Sequence, residues 1–426
     1  MSNNNENQTS NKKKLTLSEL ILMGVSGIVG AGLFFIIGKS TKYGGNKTMI
    51  ALLVAAFISL VMGGCYIELY SRFKSSITEY LALRDTMGEF SGQLMIFLTY
   101  MIAIFTTVTV VIAISKYITS FSYLACYKNS MFFQKSMSIF ILCVISIINY
   151  FGIEMSAVVA KTVAILMFII VGGAILLSGK YISFDEVHNA PEVNLDSFTL
   201  SAILSLFLFN GYDFLVKMSD DSANPENIKT SIIATLTITT FIYFAIMCSS
   251  ICVLGYTASS KTHNVITDMY SILTNNHIAH VVYVIGAFMM FNTALLTLLA
   301  ATRFIHRLGE TNIIPYAKFL SQQNSFNAPV NVIYISLVIT ILLSLVHNVV
   351  VMTVFSNVAC VLILFLLSVS LMILRFRDMY DEKSQLEHNY IKGNVNNIPV
   401  IVVINICLLS YIFYVMVKQK FWIGQV

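Results

Sequence analysis

The sequence predicts an all-α polytopic membrane protein: two five-helix inverted repeats with discontinuous helices 1 and 6, plus an eleventh helix. Three observations carry this prediction. First, 57% of the 426 residues are hydrophobic and only 11% are charged, against about 25% charged in a soluble domain. Second, apolar segments of the roughly 20 residues needed to span a bilayer recur along the whole chain. Third, the first and sixth of these segments each carry helix-breaking residues at mid-depth.

The segments cover about 18–38, 48–70, 92–120, 135–151, 155–178, 198–219, 230–255, 281–302, 329–347, 349–374 and 398–418. His347-Asn348 makes the tight turn between the ninth and tenth. The division follows: residues 1–14 as a disordered cytoplasmic tail, 15–178 as the first repeat (helices 1–5), 179–375 as the second (helices 6–10), and 376–426 as an inner loop, helix 11 and an outer C-terminus. The tail is Asn-rich and ends in Lys12-Lys13-Lys14. The apolar stretch after it is too long for a signal peptide.

Lys and Arg in the loops set the orientation. With the N-terminus cytoplasmic, the arginine-bearing loops (Arg72, Arg84, Arg303, Arg307, Arg375, Arg377) all fall inside. A multi-pass protein of the plasma or cell membrane is expected, with the lipid bilayer as its surroundings. Trp422 is the only tryptophan, so an interfacial belt must use tyrosine. The net charge of +5 reflects basic loops, not a nucleic-acid face. No spacing of the seven cysteines or of the histidines suits a metal, and no nucleophile–base pair or phosphate loop argues for an enzyme or a cofactor.

The first segment contains Gly24, Gly27, Gly30 and Gly32 within nine residues. Each glycine costs roughly 1 kcal/mol against alanine inside a helix. A break in hydrocarbon is tolerated only where it lines a protein-enclosed cavity. The sixth segment holds Asn210, Gly211 and Asp213 together in mid-span. A carboxylate there costs a few kcal/mol and marks a functional site by default. Alternatively Asp213 caps the second half-helix; the two roles are compatible. Asp213 reads as the only mid-span acid besides Glu68, which lies near an inner end.

These stretches resemble the amino acid–polyamine–organocation superfamily of permeases. Ile28-Val29-Gly30-Ala31-Gly32-Leu33-Phe34 is similar to that family's Gly-(Ser/Ala)-Gly-(Ile/Val)-Phe signature. Phe207-Leu208-Phe209-Asn210-Gly211-Tyr212-Asp213 resembles its sixth-helix pattern. Asp220-Asp221 with Asn224-Pro225, Glu68-Leu69 with Arg72-Phe73, Asn149 to Ile153, and Thr302-Arg303 through Ala328-Pro329 resemble further landmarks in the same order.

The resemblance implies a secondary transporter that moves amino acids by alternating access. Substrate would bind at the unwound parts of helices 1 and 6, by Ile28, Val29, Gly30, Ala31, Gly32, Leu33, Phe207, Phe209, Asn210 and Gly211. The amides of Ala31, Gly32 and Leu33 would take the carboxylate. Carbonyls at Ile28, Phe207 and Asn210 would take the ammonium. Phe207, Tyr212 and Asp213 would gate or couple. Depth alone adds Met101, Phe291, Asn292 and Asn357 as further lining. Alternatives are a polyamine or organic-cation permease and a non-transporting amino-acid sensor.

Three departures stand out. The family's helix-five lysine position falls near Met167, while Lys161 lies near an inner end and suits snorkelling. Thr293 and Thr297, at i and i+4, are not the adjacent hydroxyl pair of a sodium site. Neither proton nor sodium is thus supported, and exchange stays open. Cys126, in the outer loop after helix 3, either stays a free thiol or pairs with a partner glycoprotein as in the family's heterodimeric branch. An eleventh rather than a twelfth final span puts family-type dimer contacts in doubt.

Overall fold

The computed structural model describes residues 14–119, 127, 130–181, 190–262, 264–274, 276–378, 391, 394–395 and 398–418. Cys126 and the tail before Lys14 lie outside them. In chain order the helices are α1 (Leu17–Ile28), α2 (Ala31–Phe35), α3 (Ile37–Gly44), α4 (Thr48–Phe73), α5 (Thr78–Met87) and α6 (Glu89–Thr119). Then come α7 (Met131–Tyr150), α8 (Gly152–Ser178), α9 (Leu195–Leu208), α10 (Asp213–Lys217), α11 (Glu226–Leu254) and α12 (Tyr256–Ser259). The last are α13 (Val265–Leu273), α14 (Asn276–Glu310), α15 (Ala317–Leu320), α16 (Val330–Val346), α17 (Val349–Asp378) and α18 (Val400–Lys418). A two-residue antiparallel ladder, Asn394–Val395 against Ile398–Pro399, precedes α18. The protein is an all-α polytopic membrane protein.

Ten helical stretches among the described residues are long and apolar enough to cross a membrane. The remaining expected segment, at 329–347, forms α16, which has 17 residues. It spans about 25 Å at 1.5 Å per residue, the short end of the crossing range. Its ends are local: Pro329 precedes the helix, and His347 closes it in the left-handed region (φ 52).

α1 begins with a reciprocal cap. The Thr16 hydroxyl accepts from the Glu19 amide, and the Glu19 carboxylate accepts from the Thr16 amide at 3.1 Å. Asn194 caps α9 through the Ser197 amide at 2.8 Å. α6 packs against α14 and α17, α1 against α11 and α8, and α9 against α3 and α4. The two interrupted segments, α1–α2 and α9–α10, are thereby buried among the other helices, where broken backbone is tolerable.

Candidate functional site

At the first break the helix stops at Ile28, and Gly30 leaves helical geometry (φ −139, ψ −103) before α2 resumes at Ala31. A helix end leaves four carbonyls needing donors, and here each has one. Val25 O accepts from the Val29 amide at 2.8 Å. Ser26 O accepts from Asn292 Nδ2 at 3.3 Å, and Gly27 O from Thr293 Oγ1 at 3.1 Å. Ile28 O accepts from the Gly30 amide and from the Tyr243 hydroxyl, both at 2.9 Å. Three side chains from α11 and α14 thus replace the missing helical turn. A Cβ on Gly30 would sit 1.9 Å from Thr293 Oγ1 and 2.9 Å from Met289 O, so only glycine admits this approach.

Beyond the break, the Leu33 amide donates to Gly30 O at 3.2 Å. The amide of Gly32 meets no acceptor among the described residues.

At the second break α9 ends at Leu208 and α10 starts at Asp213. Gly211 turns the chain at φ +118, a region that side-chain-bearing residues avoid. The carbonyls of Leu208, Phe209 and Asn210 find no donor among the described residues, nor do the amides of Gly211, Tyr212 and Asp213 find an acceptor. The Cys360 thiol donates to Asn210 Oδ1 at 3.1 Å. Asp213 does not cap the half-helix. Its Oδ2 pairs instead with Lys217, one turn on.

A cavity of about 110 Å³ lies between the breaks. Of the expected site residues, Ile28, Gly32, Phe207, Asn210, Gly211, Tyr212 and Asp213 line it. Val29, Leu33 and Phe209 are fully buried in the core, with the Phe209 ring edge-on to Tyr243. Gly30 sets the backbone geometry at the break without lining the cavity. Met101, Phe291, Asn292 and Asn357 do not line it. Depth was the wrong guide: α6 presents the face Thr99, Ala103, Thr106 and Val110, and α14 the face Thr293, Leu296, Thr297 and Ala300. Asn292 is turned to Ser26 instead. Two of the expected ammonium acceptors are already engaged, since Phe207 O takes the Asn210 amide at 3.2 Å and Ile28 O takes two donors.

Sequence reasoning missed the ionic cluster on the cavity wall. Lys217, 7% exposed, contacts Asp213 and lies 3.5 Å from Glu79. Glu79 also accepts from Tyr66 OH at 2.9 Å and Thr99 Oγ1 at 2.7 Å. Asp213 is therefore not the only acid at this depth. Glu79 sits on α5, in the connection after helix 2, and its position at the cavity depends on α5 folding back against α6. Lys217 did leave a signal, the i, i+4 spacing from Asp213.

Further ion pairs tie helix ends together beside this cluster. Arg375 and Glu68 are fully buried and paired, and Arg72 holds Asp378 at 2.6 Å. Asp220 accepts from Ser76 Oγ at 2.5 Å and lies 3.3 Å from Arg307, while Asp221 lies 3.7 Å from Arg303. The Leu15 amide donates to Asp221 O at 2.8 Å, joining the start of the chain to the sixth-segment loop. Lys161 is half exposed, 3.7 Å from Glu19.

Broken helices around a cavity are the architecture of many membrane permeases. The family described as "Amino acid permease" matches residues 15–421, and the chain belongs to it. The chain is 23% identical to the branched-chain amino acid permease BcaP of Bacillus subtilis, over 72% of this chain and 69% of that protein. It is 24% identical to the methylthioribose transporter of Bacillus subtilis, over 74% and 71%. It is 27% identical to cationic amino acid transporter 4 of Mus musculus, over 51% and 37%. The family and these relatives are permeases and transporters, not enzymes.

Proposed function

We propose that the protein is a secondary transporter that carries amino acids across a cell membrane by alternating access, with the substrate held between the two breaks. One observation carries the reading: an unpaired amide at Gly32 faces the first break while unpaired carbonyls gather at the second. A zwitterion complements both. Its carboxylate suits the amides at the start of α2, and its ammonium suits Asn210 O, the one expected acceptor left without a donor. Ile102, Ala103, Leu296, Ile363 and Leu364 give the cavity an apolar wall, which favours a neutral, apolar side chain. BcaP, by its name a branched-chain permease, is in keeping with this.

Phe207, Tyr212 and Asp213, all on the cavity wall, serve as gates, with the Tyr212 ring edge-on to Tyr66 at 5.6 Å. Residues 15–178 and 179–375 act as the two inverted halves, and rocking between them alternates access. The N-terminus is cytoplasmic. Lys217 within the cavity speaks against a polyamine substrate.

The test is counterflow in liposomes with each of the twenty amino acids. Exchange of apolar amino acids is expected. Saturable binding without exchange of any would replace transport with sensing.

A further inference from the structure

We propose, building on the transport reading, that a second amino-acid site lies between Arg303 and Glu154, at the end of the bundle where the chain begins, and that its occupant brakes transport. A cavity of about 190 Å³ is found there, roomier than the one between the breaks, and the two share no lining residue. Its charged lining is Lys14, Glu154, Asp220, Asp221 and Arg303.

The Arg303 side chain is 7% exposed, yet its donors are poorly matched. Nε meets no acceptor among the described residues. The ion-pair partner, Asp221 Oδ1, stands 3.7 Å from Nη1, too far for a hydrogen bond. A buried guanidinium in this state is costly until acceptors reach it, and a carboxylate matches its planar fork two bonds at a time. Of the three acids, Asp220 is already engaged by Arg307 and Ser76. That leaves Lys14 and Arg303 against Glu154 and Asp221, a neutral cavity with separated charges of both signs. A phosphate dianion would meet two carboxylates there, and a bare cation would leave Arg303 unmatched. A zwitterion satisfies both signs, with its carboxylate on Arg303 and its ammonium on Glu154 or Asp221. Phe151, Ile153 and Phe326 offer its side chain an apolar wall.

That wall is held in place. Asn324 Nδ2 donates to Tyr150 O at 2.8 Å, and its Oδ1 accepts from the Phe326 and Ala328 amides, both at 2.9 Å. Phe326 O comes so near Gly152 that a Cβ there would lie 2.5 Å away, and Gly152 has φ +86, so glycine is required on both counts. The Phe151 and Phe326 rings meet edge-on at 5.4 Å. Next to Lys14, the Leu15 amide donates to Asp221 O, and Leu15 O accepts from the Ala223 amide at 2.9 Å. These two bonds fix Lys14 at the cavity.

The occupant brakes transport because of what it joins. Phe151 and Glu154 belong to the first of the proposed inverted halves, and Asp221, Arg303 and Asn327 to the second. An amino acid held by Glu154 and Arg303 ties the halves in this one arrangement, and rocking between them must release it. An ethanolamine phosphate headgroup carries the same two charges. A free amino acid is the better occupant, because alternating access exposes it at this end of the protein.

The test is equilibrium binding of labelled leucine to purified full-length protein in nanodiscs of phosphatidylglycerol, a lipid without an ammonium. Wild type is expected to bind two leucines per chain, and Gly32→Leu, which closes the cradle between the breaks, one. Arg303→Gln and Glu154→Gln should each weaken one of the two at least tenfold and leave the other unchanged. Glu154 is exposed, so its variant decides if Arg303→Gln does not fold. Two leucines of unchanged affinity in Glu154→Gln overturn the proposal. A single wild-type leucine that is lost in Gly32→Leu and kept in Glu154→Gln overturns it too, and leaves the transport reading standing. A single leucine with the opposite pattern upholds this site and overturns the one between the breaks. No bound leucine overturns both. Displacement of the second leucine by phosphoethanolamine at lower concentration than by unlabelled leucine would assign the cavity to a lipid headgroup and overturn the proposal. In liposomes with saturating leucine on both sides, Glu154→Gln should exchange at least about twofold faster than wild type, and an equal or slower rate overturns the brake.

Discussion

The two breaks solve the same problem in opposite ways. At the first, every carbonyl at the end of α1 has a donor, three of them supplied by Asn292, Thr293 and Tyr243 on neighbouring helices. No charged side chain takes part, and glycine lets the helices approach closely. At the second, three carbonyls and three amides are left open, and the adjoining half-helix carries Asp213 and Lys217. The first break, with its helix-end carbonyls all satisfied and the Gly32 amide left for a ligand, is pre-organised and holds one geometry. An unsaturated, charged break changes partners at low cost. The first therefore suits a fixed cradle, and the second suits the part that rearranges around a substrate.

The comparison breaks most visibly at Gly32. Gly32→Leu should abolish binding between the breaks, a loss of at least about 100-fold, while the protein still inserts. Its Cβ would meet Leu208 Cδ2 at 2.9 Å and the Tyr243 hydroxyl at 3.3 Å; overpacking of this kind typically costs about 1–3 kcal/mol, and the longer side chain also covers the amides. Equilibrium binding on purified protein measures it, and wild-type affinity would remove Gly32 from the site. Next is Lys217→Met, which leaves the buried Glu79 and the partly buried Asp213 without a cation. Removing one partner of such a pair costs about 3–5 kcal/mol, read as a lower melting temperature. An unchanged melting temperature would contradict the pairing.

Tyr243→Phe probes the saturated break more gently. It removes one of two donors to Ile28 O, worth about 1 kcal/mol, so affinity should fall roughly fivefold. A larger loss would mean that the hydroxyl touches substrate. Lys161→Gln should be the smallest, within about 0.5 kcal/mol, as for exposed pairs generally. A large effect on transport would move the coupling site to helix 5.

Both breaks were legible because glycine clusters and a mid-span carboxylate violate the rules of a membrane helix locally. The spans were legible from apolar length, and α16 fell short where Pro329 and His347 trim it. The donors at the first break were not legible. Tyr243, Asn292 and Thr293 are ordinary polar residues whose roles depend on which helix faces which. Glu79 was hidden for the same reason, since a loop assignment says nothing of α5 folding back to the cavity. The side chains of Val29, Leu33 and Phe209 show the converse: motif residues whose side chains belong to the core.

The most direct measurement is a structure of the protein with an exchanged amino acid bound. The account predicts its carboxylate within hydrogen-bond distance of the Ala31 and Gly32 amides and its ammonium beside Asn210 O. An amino acid bound elsewhere, with the Gly32 amide still unpaired, would contradict it.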